Sequence, residues 1–386
     1  MSSSQELYNR LIKTVYPLVA VSHIKQMTNW MWIVVGILQA NSRALSKIAT
    51  FIPGTAEAES RVTTIRRWLK NLRIEVWTFY RPILEHVLEG WHAVEAVVVL
   101  DGVAVFGDRL QIFRLSLVHG HRAIPLVWKV IPGKGLTQAE VLEAMLTQAA
   151  DFLRPRVKRV RFLADRGFRD CDWADLCLKL GWHYDIRIQC NTTVTLEDGW
   201  QGRVDELGVQ PGQRRYYRNV RLTLESKLCT HLSVTWTEGD EKHAPELLAV
   251  ISDQPACRAR LRECGARMCI EQSFRDDKSG GFDMAHTKLQ HPERLERLLL
   301  AVAIATLWCH ELGEQVLGQG EASRRQIDPG PERELSIFQL GLRWLKRCVA
   351  TAIQRLPVFR ARLTPIRLAP VFRKARLDLF RNSVFL

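Results

Sequence analysis

The sequence has no apolar run long enough to cross a bilayer. The best stretch, Trp30 to Ala40, is too short, and Lys25, Gln26 and Asn29 precede it closely, so it reads as a core helix. Paired cysteines are missing as well. Nine cysteines are scattered over 386 residues without one Cys-x-x-Cys. Neither Cys171/Cys177 nor Cys257/Cys264/Cys269 has the spacing of a zinc knuckle or ribbon. Buried, reduced thiols are the reading that fits. The opening Met1-Ser2-Ser3-Ser4-Gln5-Glu6 lacks the basic stretch and small-residue cleavage site of a secretory signal. Internal repeats are absent. A soluble, cytoplasmic, nucleoid-associated protein with no membrane partner is expected. Acidic charge is also short: 55 Lys and Arg face 41 Asp and Glu, a net charge of +14.

What is present fits a globular chain. Apolar residues make up 47% and charged residues 25%, which excludes disorder and leaves room for two or three structural units. The basic excess points to a polyanionic partner, nucleic acid first. It is unevenly placed: Arg343 to Leu386 holds eleven Lys and Arg against Asp378 alone.

Residues 6–90 lack period-2 alternation and read as helices. Residues 41–73 hold seven Lys and Arg against two Glu, around a Pro53-Gly54 turn. That suits binding to a DNA backbone, or equally a solvated helical bundle. The texture changes at 94, where Val97-Val98-Val99-Leu100-Asp101 reads as a buried strand. Strands at 109–118 and 123–131 follow, with Gly120 between them as a hairpin turn. Thr137-Gln138-Ala139-Glu140 opens a capped helix to about Leu153. A strand ends at Asp165, a helix ends at Gly181, and a further strand covers 183–189. The order is β-β-β-α-β-α-β, a meander followed by parallel additions. From 191 to about 253 strands dominate, including Val204 to Val209, Arg221 to Glu225, His231 to Trp236 and Leu247 to Ile251. Helices return at Ala256. Pro292 opens a strongly apolar one, Gly318 to Pro331 is a polar linker, and the basic tail closes the chain.

Asp101 and Asp165 each close an apolar strand, and an ionised carboxylate buried without a partner costs several kcal/mol. In this order the first and fourth strands can lie side by side and parallel, so the two carboxylates can share a divalent cation. Oxygen ligation suits Mg²⁺ or Mn²⁺. Cys264 to Lys278 has no Gly or Pro after 265 and reads as a single helix, with Arg267, Glu271, Arg275 and Lys278 along one face. Alone that is a charged surface. Beside two strand-end acids, Glu271 becomes a third ligand.

Three segments together resemble the IS4-type DDE transposases, which have an RNase H-like catalytic core. The family's first Asp is matched in Val97-Val98-Val99-Leu100-Asp101-Gly102 and its second in Leu163-Ala164-Asp165-Arg166-Gly167-Phe168. Its Tyr-x2-Arg-x3-Glu-x6-Lys helix is matched by Arg267, Glu271 and Lys278, with Cys264 at the Tyr position. The fold implied is α/β: an RNase H-like mixed sheet with helices, a β-rich insertion and a helical N-terminal domain. The units are 1–90 (helical, DNA-binding), 91–190 (first part of the core), 191–255 (insertion), 256–318 (second part of the core) and 319–386 (linker and basic region). The activity implied is metal-assisted phosphoryl transfer on double-stranded DNA, at the element's terminal inverted repeats and the target. Asp101, Asp165 and Glu271 would be both catalytic residues and ligands of two Mg²⁺ (or Mn²⁺) ions about 3.5–4 Å apart. Arg267, Lys278, Arg275 and Arg166 would contact DNA phosphates. A homodimer in a synaptic complex is a further expectation, and a non-catalytic or domesticated DNA-binding derivative is the alternative.

Other segments carry less. Gly133-Lys134-Gly135-Leu136-Thr137 lacks the frame of a phosphate loop. His119-Gly120-His121 has no further metal partners at suitable spacing. Trp68 reads as core, and Tyr216-Tyr217 as core or as a base-stacking pair. The basic tail generates the first prediction. Removing residues 343–386 weakens DNA binding and flattens its salt dependence, which a binding titration at several salt concentrations checks; unchanged slopes would refute it.

Overall fold

The computed structural model describes residues 3–21, 23–92, 94–119, 122–133, 139–165, 172–222, 228–237, 244–275, 282, 289–351 and 358–364. Five helices come first: α1 (Ser3–Val15), α2 (Ile24–Ala40), α3 (Leu45–Ala49), α4 (Ala58–Lys70) and α5 (Val76–Val87). The apolar stretch at 30–38 is buried on every side of α2, as its lack of a polar face requires. In α4 the basic residues take the outer face, and Val62, Ile65, Trp68 and Leu69 the inner one. Arg43 is fully buried over the Phe282 ring.

The β-branched run lies within β1 (Glu95–Val105), which forms an antiparallel meander with β2 (Leu110–His119) and β3 (Arg122–Pro132). Helix α6 (Ala139–Leu153) leads to β4 (Arg159–Ala164), and α7 (Asp172–Lys179) to β5 (His183–Ile188). β4 is parallel to β1, and β5 is parallel to β4. The order β3-β2-β1-β4-β5 is the RNase H-like arrangement expected. One expectation changes. β1 does not close at Asp101 but runs on to Val105, because β2 pairs with it over that whole length. What closes at Leu100, opposite Ala164, is the β4 pairing.

Residues 191–253 extend the same sheet. β6 (Thr193–Thr195), β7 (Gln201–Arg203), β8 (Arg214–Leu222), β9 (Cys229–Trp236) and β10 (Leu247–Ser252) add to it in the order β5-β10-β9-β8-β6-β7, making ten strands. Val204 to Leu207, read as a strand, is a 3-10 turn closed by Gly208 at φ 68°. β8 begins at Arg214, earlier than the strand expected at 221–225, and residues 223–227 lie outside the described set.

After β10 the chain forms α8 (Arg258–Cys264), a 3-10 turn at Gly265–Arg267 and α9 (Met268–Arg275). The single helix expected from 264 is therefore interrupted at Gly265, a residue with weak helix preference. α10 (Pro292–Gly318) threads the centre, and no described helix is long and apolar enough to cross a membrane. Its Trp308 and Leu300 share one apolar cluster with Trp30 of α2, Tyr80 of α5 and Leu100 and Phe162 of the sheet.

The stretch read as a linker is organised around a buried cation. α11 (Glu321–Arg325) carries Arg324, only 1% exposed. Its guanidinium donates to Glu321 and to the carbonyls of Asp328, Gly330, Pro331 and Glu332. α12 (Ile337–Ala350) then packs on α10. Residues 358–364 form a strap: Phe359 is buried, the Glu311 carboxylate accepts from the amides of Arg360 and Ala361, and Trp91 Nε1 donates to Leu363 O. Residues 343–351 and 358–364 belong to the packed body, so a deletion from 343 removes packing as well as basic charge.

The α10–α12 contact generates a prediction. A Cβ on Gly341 would collide with the Cys309 carbonyl oxygen, and one on Gly313 with that of Ile337. Backbone cannot turn aside as a side chain can, so Gly341→Ala forces the helices apart. A loss of about 1–3 kcal/mol or more is expected, read as a lowered urea midpoint; an unchanged midpoint would contradict the close approach.

Candidate active site

Two adjacent parallel strands set the site. Leu100 pairs with Ala164, so the next residue on each chain is an aspartate, Asp101 within β1 and Asp165 just past β4. Residues at matching positions of paired strands point to the same face. On that face Val97, Val99 and Leu163 pack against Ala266, Cys269, Ile270 and Phe274. This apolar seam places α9, and Ser273 pins it: its Oγ accepts from Ala123 N and lies 3.0 Å from Ala123 O. Glu271 is thereby presented towards the two aspartates.

Arg267 stands among the three acids. Its Nη1 lies 2.5 Å from Glu271 Oε1 and 3.6 Å from Asp165 Oδ2, with the residue only 5% exposed. Burial alone would lower its pKa, but Asp165, Glu271, Cys264 and Asp101 more than offset that and raise it. Asp101 accepts a 2.7 Å hydrogen bond from Gly102 N. Burial, foremost, pushes its carboxyl up to about 6; Arg267 and the Gly102 amide oppose the rise, while Glu271 and Asp165 add to it. Asp165 Oδ1 is buried without a hydrogen-bond partner.

The sequence-derived site residues divide accordingly. Asp101, Asp165, Glu271 and Arg267 are brought together. Arg267, read as a phosphate contact on the Glu271 face, reaches from the 3-10 turn to the Glu271 and Asp165 carboxylates. Arg166 and Lys278 lie outside the described residues, and Arg275 ends α9 with its side chain likewise outside them. Cys264 packs with Leu248, Val250 and Leu261, its thiol pushed up to about 12 by burial, so this position serves the core. His119 is buried with Nε2 at 2.7 Å from Glu314 and 3.1 Å from Thr364 O, while Gly120 and His121 lie outside the described residues.

Four arginines were missed. Arg114 pairs across from Asp101 and lies over the Phe274 ring at 4.1 Å. Arg187 stands 4.0 Å from Asp165 and 2.6 Å from Glu246. At the opposite end of β4, Arg161 reaches Asp185 at 3.2 Å and Glu95 at 2.9 Å, with Arg260 at 3.5 Å from the same Asp185. Burial, against the pull of Arg260 and Arg161, raises Asp185 to about 7. Strand pairing alone reveals these partners; the nearest sequence signal is an arginine inside an otherwise apolar strand.

Among the described residues no three His, Cys, Asp or Glu side chains are gathered closely enough to ligate an ion as they stand. The donor set nevertheless suits a hard divalent cation: three carboxylates, one with a buried oxygen lacking a partner, around a place now held by a guanidinium.

No family model matches the chain, and no curated protein matches its sequence. Among solved structures it is similar to a piggyBac transposase synaptic complex with hairpin DNA, at a TM-score of 0.44 and 9% identity, over 98% of this chain and 82% of that one. A likeness that weak supports no step below.

Asp101 yields a pH prediction. A carboxyl whose folded pKa is raised stabilises the fold when protonated, and that contribution is lost as pH rises from about 4 to about 6. Asp101→Asn removes the buried charge and keeps the acceptor for Gly102 N. At pH 8 it should exceed wild type in stability by on the order of 1–3 kcal/mol, with little gain at pH 4. Denaturation curves at both pH values check this; equal destabilisation at both would contradict it.

Proposed function

We propose that the chain is a DNA transposase of the IS4 type, cutting DNA at the ends of an insertion sequence and joining them to target DNA. The observation that carries this reading is the convergence of Asp101, Asp165 and Glu271 on Arg267. Two of the acids come from neighbouring parallel strands, and the third from a helix seated on the same face. Few structural needs call for three carboxylates there, since each adds desolvation cost and mutual repulsion. The Arg267-Glu271-Lys278 spacing and the basic excess of the chain agree with a polyanionic substrate.

Asp101, Asp165 and Glu271 would hold Mg²⁺ or Mn²⁺. When bound, such ions activate the attacking hydroxyl and neutralise charge on the leaving oxygen. The chain's own residues do the rest. Arg114 and Arg187 flank the acids and hold positive charge beside them. The seam under α9 keeps Glu271 in line with the strands. Arg267, once Glu271 turns away from it, is placed to fork a phosphate. Arg166, Arg275 and Lys278 are the remaining proposed phosphate contacts, and two copies acting on two DNA ends the proposed assembly. The second reading, a non-catalytic DNA-binding derivative, draws its support from Arg267 itself, which already fills the place a cation would take.

One experiment separates them. Wild type incubated with Mg²⁺ and DNA bearing the element's ends should nick at the 3′ ends, and Asp101→Asn, Asp165→Asn and Glu271→Gln should fall to background. Mn²⁺ at about 100 times its Kd should also raise wild-type stability by about 2.7 kcal/mol, and do less for the variants. Full cleavage by Glu271→Gln would sink the catalytic reading.

A further inference from the structure

We propose that the solvent face of β8 is a phosphate-binding track for the flank of duplex DNA held at the acids. The segment reads Arg214-Arg215-Tyr216-Tyr217-Arg218-Asn219-Val220-Arg221-Leu222. Tyr217, Val220 and Leu222 belong to or pack against the core. Side chains alternate along a strand, so Arg214, Tyr216 and Arg221 point the other way. A register shift between Tyr217 and Val220 sets Arg218 in a bulge. Arg214, Arg218 and Arg221 are exposed, and Tyr216 is 42% exposed.

The strand pairing says which face this is. Tyr216 pairs with Ser233, Ser233 with Val250 and Val250 with Arg187, and Arg187 reaches towards Asp165. Paired residues share a face, so the β8 arginines and the acids lie on one face of one continuous sheet. Four strand steps of about 4.8 Å separate them, about 19 Å in all. At 3.4 Å per base pair that is about six base pairs of duplex. With each strand rotated by about 20–25° from the last, β8 stands turned by roughly a right angle to β4. On that face α8 covers Leu248 and Val250 of β10 between the two, so the β8 arginines address duplex that runs on past α8 from Asp165.

Elsewhere in the sheet and its helices Arg161, Arg187, Arg203 and Arg260 each pair with a carboxylate. Among the described residues no ion pair involves Arg214, Arg218 or Arg221. Like charges close together on one strand repel, which a line of phosphates relieves. β6 pairs with β8 only at Arg221 and Leu222, so among the described strands the edge from Arg214 to Asn219 is open and its amides are additional donors. Charged residues on an open edge can also serve merely to discourage strand-to-strand association. That role leaves DNA affinity untouched.

The proposal rests on the DNA-transposase reading for its choice of polyanion, and its test needs no cleavage. The probe is a fluorescent duplex of about 24 base pairs, titrated with full-length protein in EDTA at several salt concentrations. Arg214→Ala/Arg218→Ala/Arg221→Ala should bind more weakly, with log K against log salt shallower by about 2–3, since each phosphate contact contributes about 0.9. The corresponding triple Lys variant should keep most of the slope. An unchanged slope in the Ala variant, or equal loss in the Lys variant, would overturn the proposal. Thermal melts establish that both variants fold. A protein that binds this way and cleaves nothing would leave the track standing while the catalytic reading fails, and the reverse result would separate them equally.

Discussion

The parallel pairing of β1 with β4 is the constraint on which the rest depends. It sets Asp101 beside Asp165 on one face of the sheet, and that face then needs both an apolar cover and a compensating charge. The seam from Val97 to Phe274 provides the first. Arg267 provides the second, drawn inward by a 3-10 turn that a straight helix would not have made. Slipping the β1–β4 register by one residue would turn one acid into the opposite layer, among the core residues around Leu100 and Phe162.

A ten-stranded sheet changes what an insertion means here. Residues 191–253 lengthen the acid-bearing sheet edge to edge, and β10 returns the chain beside β5 so that α8 and α9 fall on the face of the acids. The same device carries β8 outward on that face. Burial of Arg161 and Asp185 together with Arg260 of α8 ties β4 and β5 to that helix. Breaking such a group by removing one partner leaves an uncompensated buried charge.

Much of this was legible in the residues, and the misses have physical causes. The apolar runs of β1, β4 and β5 and the Pro-initiated helix α10 announce themselves, because burial and backbone chemistry act over a few residues. Thr137 and Gln138, read as the start of a capped helix, lie outside the described residues. The end of β1 was misplaced because Gly102 to Val105 is held in the strand by its β2 partners, which local pattern does not contain. The break at Gly265 was missed because a helix-compatible composition does not say where packing demands a tighter turn. Arg324 looked like part of a polar linker because its partners are backbone carbonyls, which have no sequence signature.

By itself the sequence determined the acids, their strand and helix settings, the basic excess and the order of elements, since all of these follow from residue type and short-range periodicity. Only the tertiary structure decided that Arg267 points inward and that Cys264 packs beneath β10. It also decided that the insertion joins the core sheet and that the β8 arginines share a face with Asp165. Those outcomes depend on strand register and on long-range competition for buried space and charge, which no local stretch encodes.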